Sequence, residues 1–127
     1  MSKKKISDIK QGDIFMVNLR DCVANEESGI RPCVCISCDS LTKNRNNVII
    51  APITSSANKK TMINHYEIPI GKYDFFIYEK NTILLECLRD IAKKRLERKL
   101  GHLDNDDIEK IIGKITYNFV DLDKEDI

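Results

Sequence analysis

The residues with the most evident chemistry in this 127-residue chain are its five cysteines, three of which form Cys33-x-Cys35-x-x-Cys38. This spacing suggests a metal site, but a second Cys-x-x-Cys pair is absent and neither histidine lies at the spacing that zinc fingers use. Free cysteine is among the most buried residue types. The pattern therefore favours a buried strand in which cysteine serves as a small apolar residue, and we expect no metal and no other cofactor.

Positive charge concentrates between Arg89 and Lys99, a segment with six basic and two acidic residues. The whole chain carries a net charge of +1. Its first 99 residues hold 18 basic and 12 acidic residues, whereas its last 28 hold 3 and 8. A local basic surface can bind a polyanion even when the total charge is near zero, although such a run is more often a solvated face. Both interpretations stay open on charge alone.

Three glutamates are candidates for proton transfer, namely Glu26, Glu27 and Glu86. The first two adjoin each other in a polar stretch, which is typical of a solvated loop. Glu86 lies in an apolar run, where a carboxylate needs a partner, and we expect an arginine such as Arg31 to supply it. Histidine is a common acid–base residue, but neither His65 nor His102 lies where we expect catalysis.

The order of the predicted elements indicates one domain of mixed, β-rich α+β class. Segments typical of strands are 13–19, 31–37, 48–53, 65–70 and 82–88, and 95–100 fits either a helix or a strand. Residues 44–47 have turn chemistry and suggest a hairpin. We expect a flexible segment at 1–8, a domain at 9–120 and an acidic tail at 121–127.

A change of hydrophobic period after Asp104 predicts an amphipathic C-terminal helix. Its apolar face comprises Ile108, Ile111, Ile112, Ile115 and Phe119. Asp104 suits the N-cap, and acidic residues in the first turn suit the helix dipole. About six strands followed by this helix predict a small barrel or curled sheet with a helix packed on it.

The sequence also predicts a location. Its apolar stretches are far shorter than the roughly 20 residues that a membrane helix needs. Charged residues follow Lys3-Lys4-Lys5 where a signal peptide would have its apolar core. We therefore expect a cytoplasmic protein that does not associate with membranes.

Four motifs, in order, resemble the MazF/PemK family of ribonuclease toxins from type II toxin–antitoxin pairs. Residues 9–15 (IKQGDIF) resemble the family's opening, and residues 26–32 (EESGIRP) its acidic-Gly-x-Arg-Pro loop. Residues 48–55 (VIIAPITS) resemble its apolar strand that ends in Thr-Ser, and residues 84–91 (LLECLRDI) its acidic-Gln-x-Arg-x-Ile strand. The resemblance spans residues 9–119.

The resemblance implies a small SH3-like barrel (PemK/CcdB-like) that forms a homodimer. It implies metal-independent, sequence-specific cleavage of single-stranded RNA, including mRNA, and neutralisation by a cognate antitoxin. Metal-free RNA cleavage commonly uses the substrate's own 2′-hydroxyl as nucleophile. Arg31 and Thr54 are then the expected catalytic residues. A guanidinium binds phosphate oxygens and favours charge stabilisation, although the resemblance leaves proton transfer by Arg31 open. The Thr54 hydroxyl can donate to the same phosphate or orient the 2′-oxygen. Without the resemblance, Thr54 would more simply end its strand with a local backbone bond.

Further roles follow from the same resemblance. Proton transfer or support is expected from Glu26, Glu86 and Ser55, and RNA contacts from Phe15, Glu27, Ser56, Cys87 and Arg89. For Phe15, a place in the core is the default, and stacking on a base is the alternative. Cys87 stands where many relatives carry Gln, so the recognised RNA sequence is expected to differ or broaden. The segment 73–81 looks lengthened.

Two alternatives of the same fold remain at this point. The first is a non-catalytic barrel that binds protein, as the gyrase-poisoning toxins do. The second is a degenerate relative that binds RNA or an antitoxin without turnover. The Gly-x-Arg-Pro and Thr-Ser motifs favour the nuclease, because a gyrase poison does not need them.

Overall fold

The computed structural model describes residues 8–20, 29–55, 62–76 and 80–121, and its elements are given for these ranges. The strands are β1 (Asp13–Asn18), β2 (Ile30–Cys35), β3 (Asn47–Thr54), β4 (His65–Ile68), β5 (Asn81–Leu84), β6 (Arg89–Ala92) and β7 (Leu96–His102). The helices are α1 (Asp39–Lys43) and α2 (Asn105–Ile115), and single 3₁₀ turns lie at Leu85–Cys87, Lys93–Arg95 and Thr116–Asn118. Residues 1–7 and 122–127, most of the expected N-terminal segment and tail, lie outside the described residues.

The strands form one antiparallel sheet in the order β4-β5-β3-β2-β1-β7. β3 is long because it has two partners on one edge: its first half pairs with β6 and its end with β5. The 3₁₀ turn at Lys93–Arg95 joins β6 to β7, so the sheet curls towards closure. The expected β-rich fold with a C-terminal helix is confirmed as an open, barrel-like sheet.

Both faces of the central strands are buried, which explains their continuous apolar runs. One face forms the barrel core, which includes Phe15, Val17, Cys33, Cys35, Val48, Ile50, Ile91 and Leu96. The other face forms the helix-side core, which includes Ile14, Val34, Ala51, Ile53, Ile83, Leu103 and Ile111. Successive side chains of a strand point to opposite faces. The face of any residue in these strands can therefore be read from its neighbours.

A buried carboxylate anchors α2 to the sheet. Asp104 caps the helix as predicted, since its side chain accepts a hydrogen bond from the Asp107 backbone N–H at 3.0 Å. Asp107 is fully buried and accepts hydrogen bonds from the hydroxyl of Tyr66 and, at 2.5 Å, from that of Tyr73. The Lys72 ammonium lies 3.0 Å from the same carboxylate. These contacts join α2 to β4 and to the segment that follows it.

Three sequence predictions need correction, and the open choice between helix and strand at 95–100 is decided in favour of a strand. The β2–β3 connection contains α1 rather than only a tight turn, and 82–88 is not one strand, because β5 ends at Leu84 and a 3₁₀ turn precedes β6. Residues 95–100 belong mainly to β7, whose bulged pairing with β1 obscures a strand period. Phe119 lies beyond α2 and is 78% exposed, so it does not belong to the packed face.

Candidate active site

Gly29 sets the direction in which β2 begins. Its φ of +95° is a conformation that side-chain-bearing residues rarely adopt, and its carbonyl accepts a 2.7 Å hydrogen bond from the Leu19 N–H. This bond closes the β1–β2 pair just before Ile30. Arg31 is the second residue of β2 and is half-buried. The Gly-x-Arg motif is thus a turn followed directly by a strand that carries the arginine.

Thr54 is the last residue of β3 and is only 6% exposed. The β2–β3 pairing includes Cys33 opposite Pro52. If this antiparallel register is continued by two residues beyond the paired positions, Arg31 comes level with Thr54. Both residues lie on the barrel-core face, because Arg31 alternates with Cys33 and Cys35, and Thr54 with Ile50. The register therefore brings the two predicted catalytic residues together on adjacent strands and on one face.

This face carries a row of polar side chains across four strands. Thr54 pairs with Thr82 of β5, and Thr82 pairs with Glu67 of β4. The row is completed by Arg31, and we call these four residues the polar row. Lys80 lies 3.3 Å from the Glu67 carboxylate at its outer end. Hydroxyls flanked by a guanidinium suit an anionic, hydrogen-bonding ligand.

A cavity of about 470 Å³ lies at the same end of the sheet. Its lining is largely apolar and comes from Met16, Ile30, Pro32, Ile53, Phe75, Phe76 and Leu100, together with Arg31, Ser55 and Arg98. A Cβ at Gly101 would lie 2.4 Å from the Phe75 ring, so glycine is needed for that ring to pack on β7. Ser55 is exposed and lines this cavity. Phe75 and Phe76 of the lengthened segment 73–81 thus form one wall.

Glu86 has a different partner from the arginine that the sequence suggested. Its carboxylate lies 2.8 Å from Nε2 of His65, and its side chain is 27% exposed. It belongs to the 3₁₀ turn at Leu85–Cys87 rather than to a strand. His65 is buried, and no feature of the sequence pointed to this contact, because the two residues are 21 positions apart.

The expected RNA contacts fall into three groups. Phe15 is 1% exposed in the barrel core, so its ring has no free face for a base and that expectation is wrong. Cys87 is half-buried in the 3₁₀ turn. Arg89 lies level with Ile50, and its two terminal nitrogens are buried with no hydrogen-bond partner among the described residues. Glu26, Glu27 and Ser56 lie outside the described residues.

The basic run from Arg89 to Lys99 is not one exposed face. Arg95 donates a 3.1 Å hydrogen bond to the Asn18 carbonyl, and the Lys99 ammonium lies 3.2 Å from the fully buried carboxylate of Asp13. His102 contacts the same carboxylate at 2.7 Å. Two of the run's six basic side chains, Arg95 and Lys99, therefore contact β1.

Cys33 and Cys35 are buried in β2 as predicted, whereas Cys38 is exposed. Burial raises the pKa of the Cys35 thiol well above its ordinary range. Within the described part of the chain, no three histidine, cysteine or acidic side chains are grouped so that they could hold a metal ion. In the same ranges, no helix has the length and apolar character needed to cross a membrane.

Comparison with known proteins places these features in a family. Residues 10–119 match the model of a PemK-like, MazF-like toxin of type II toxin-antitoxin system. The chain is 34% identical over 103 residues to the endoribonuclease EndoA of Bacillus subtilis (strain 168), which covers 81% of this chain and 87% of that protein.

Solved structures share the fold. One is an endoribonuclease in complex with its cognate antitoxin from Mycobacterial species, with 15% identity, a TM-score of 0.68 and coverage of 86% of this chain and 92% of that one. Another is the Mycobacterium tuberculosis toxin MazF-mt6, with 18% identity, a TM-score of 0.66 and coverage of 87% and 98%.

Proposed function

The chain belongs to the PemK-like, MazF-like toxin family of type II toxin–antitoxin systems, and we propose that it is an endoribonuclease that cuts single-stranded RNA, including mRNA, without a metal ion. The observation that carries this proposal is the β2–β3 register with Cys33 opposite Pro52, because its continuation by two residues brings Arg31 level with Thr54 on one face. Family membership favours the enzyme over the non-catalytic binding module.

The proposed reaction uses the substrate's own 2′-hydroxyl. Its oxygen attacks the adjacent phosphorus while the bond from phosphorus to the 5′-oxygen breaks, and the products are a 2′,3′-cyclic phosphate and a 5′-hydroxyl. Arg31 stabilises the charge that builds up on the phosphoryl oxygens, because its planar guanidinium donates several hydrogen bonds and stays charged. Thr54 donates its hydroxyl to the same phosphate.

The roles of the remaining site residues stay proposals. Glu26, Glu86 and Ser55 are candidates for proton transfer or support, and Glu27, Ser56, Cys87 and Arg89 are candidates for RNA contact. We also propose that the chain acts in the cytoplasm, assembles as a homodimer and is neutralised by a cognate antitoxin that competes with RNA for the Arg31 surface. The positive charge of Arg31 and Arg98 at the cavity favours an acidic antitoxin segment.

The test is cleavage of an unstructured RNA in the presence of EDTA by the wild type, Arg31→Ala and Arg31→Lys. We expect cleavage by the wild type and a loss of roughly 100–1,000-fold in kcat/KM for Arg31→Ala, the range typical of removing one transition-state donor. Arg31→Lys keeps the charge but not the planar fork, so its loss is expected to be smaller.

Two controls address the chemistry. A single 2′-deoxynucleotide at the cut site should abolish cleavage, and the products should carry a 2′,3′-cyclic phosphate. Cleavage that requires an added divalent metal, or that Arg31→Ala leaves unchanged, would contradict the proposal.

A further inference from the structure

His65 is buried, yet both of its ring nitrogens have hydrogen-bond partners. Nδ1 accepts a 3.2 Å hydrogen bond from the Met62 backbone N–H, so this nitrogen carries no proton. The ring proton is therefore on Nε2, which donates to Oε2 of Glu86 at 2.8 Å. The ring is thus a donor directed at one carboxylate oxygen. With both nitrogens engaged, it has no free position from which to act on a substrate.

The backbone around this contact is also fixed. The His65 N–H donates to the Met62 carbonyl at 3.0 Å, and the Leu85 N–H donates to the Asn64 carbonyl at 3.2 Å. The Leu85 carbonyl accepts a 2.8 Å hydrogen bond from the Asn118 side chain. Both backbone polar groups of Leu85, the residue before Glu86, are therefore hydrogen-bonded. His65 in turn binds the Glu86 carboxylate itself.

The turn that carries this carboxylate lies beside β3, the strand that ends in Thr54. β5 pairs with the end of β3 and β6 with its first half, and the 3₁₀ turn at Leu85–Cys87 lies between β5 and β6. His65 lies on the face that carries Thr82 and Thr54, because Tyr66 and Ile68 belong to the helix-side core. It is level with Leu84, two residues or about 7 Å along β5 from Thr82, and β5 separates its strand from β3. This position suits a contact with a nucleotide that flanks the cleaved bond.

We propose that His65 is a positioning residue that holds Glu86 so that its free carboxylate oxygen accepts a hydrogen bond from a nucleobase next to the cleaved bond. This inference rests on the proposed function. Carboxylates accept from the exocyclic amines of bases. Uracil has no such amine, and its single imino N–H lies between two carbonyl oxygens that repel a carboxylate. The site should therefore prefer a base that carries an amino group over uracil.

Two substitutions of His65 separate positioning from folding. The Nε2 amide group of His65→Gln can reach Glu86, as Nε2 of the imidazole does. The shorter side chain of His65→Asn can still accept from the Met62 N–H, but it does not reach Glu86. A third variant, Glu86→Gln, removes the carboxylate itself at a partly exposed position where a change of fold is not expected.

The experiment measures kcat and KM on RNA oligonucleotides that differ at one position flanking the cut. For an amino-bearing base, His65→Asn and Glu86→Gln should each raise KM about tenfold, the effect of one hydrogen bond to a charged group. Their preference over uracil should fall, and their kcat should change by less than about twofold, because a contact with a base acts on binding. A large fall of kcat in Glu86→Gln with an unchanged base preference would instead assign Glu86 to proton transfer and overturn the inference. His65→Gln should restore most of the KM and of the preference.

Several results would overturn the inference. One is an unchanged preference in both His65→Asn and Glu86→Gln. Another is an equal fall of kcat in His65→Asn and His65→Gln, since that indicates a structural role. If His65→Asn does not fold, the base preference of Glu86→Gln decides whether the Glu86 carboxylate contacts the base.

Binding of oligonucleotides with a 2′-deoxynucleotide at the cut site gives a readout that needs no cleavage. A base preference in binding by a wild type that does not cut RNA would refute the proposed function, and only the contact between Glu86 and a base would remain. Cleavage that depends on Arg31, without any effect of Glu86→Gln on binding, would refute this inference alone.

Discussion

At the scale of single residues, Asp107 shows how a buried carboxylate is kept charged. Burial alone would raise its pKa, but hydrogen bonds from Tyr66 and Tyr73 and the contact with Lys72 outweigh this effect and hold the pKa below its ordinary value. Burial and the hydrogen bond to Asp107 in turn raise the pKa of Tyr73 to about 12, so its phenol stays protonated and donates at neutral pH. The charged carboxylate thus favours the folded state.

The sign of the pH dependence follows from this lowered pKa. The stabilisation is present above the pKa that Asp107 has in the unfolded chain, near 4, and is lost as the pH falls through the lower folded value. Removal of one donor by Tyr73→Phe should lower the free energy of unfolding by about 1–2 kcal/mol at pH 7 and weaken its fall below pH 4. Urea unfolding between pH 2.5 and pH 7 measures both effects. Equal stability of the variant and the wild type at pH 7 would contradict this account.

The expected RNA contact by Phe15 shows a limit of sequence reasoning at this scale. A phenylalanine in a strand serves equally as a core residue or as a stacking platform, and only the packing around it decides. Here the barrel core surrounds its ring. The His65–Glu86 contact was missed for a related reason. The contact forms because β4 and the 3₁₀ turn after β5 lie close together in the folded chain. A local sequence pattern does not predict such a tertiary contact.

At the scale of elements, two glycines offer a matched comparison. Gly29 has a positive φ and open space where a Cβ would be, so Gly29→Ala meets backbone strain but no clash. Gly113 lies within α2, where a Cβ also meets no neighbour. A Cβ meets no neighbour at either position, so the comparison isolates the effect of the backbone conformation.

We therefore expect opposite effects from the same substitution. Gly29→Ala should destabilise the protein by about 1–2 kcal/mol, the cost of a left-handed conformation. Gly113→Ala should stabilise it by up to about 1 kcal/mol, because alanine favours a helix interior. Thermal or urea unfolding of both variants provides the measurement. A stabilising Gly29→Ala would show that the turn before Arg31 is not as described.

Elements also differ in how far the sequence predicts them. α2 and its Asp104 cap were predicted because a helix bound to one face shows its period directly. β7 was ambiguous, since register shifts against β1 break its alternation. The run 82–88 predicts one strand because the 3₁₀ turn at Leu85–Cys87 begins with a buried leucine and so extends the apolar pattern of β5.

At the scale of the whole molecule, the sequence predicted the class of fold and the family but not the course of the chain around the site. Strand propensity and the terminal helix were sufficient for a barrel-like sheet. The proximity of Arg31 and Thr54 is a matter of register between β2 and β3, and 22 residues separate the two along the chain. The motif resemblance predicted Arg31 and Thr54 as joint catalytic candidates, and the register of the two adjacent strands gives a physical reason why they can act together.

The central claim is that Arg31 and Thr54 act on one phosphate. A double-mutant cycle of Arg31→Lys and Thr54→Val, read as kcat/KM on one RNA substrate, tests it most directly. We predict that the double variant loses clearly less activity than the product of the two single losses, because two residues that hold one phosphate as a unit depend on each other. Losses that multiply in full would show that the two residues act independently, and would contradict the account.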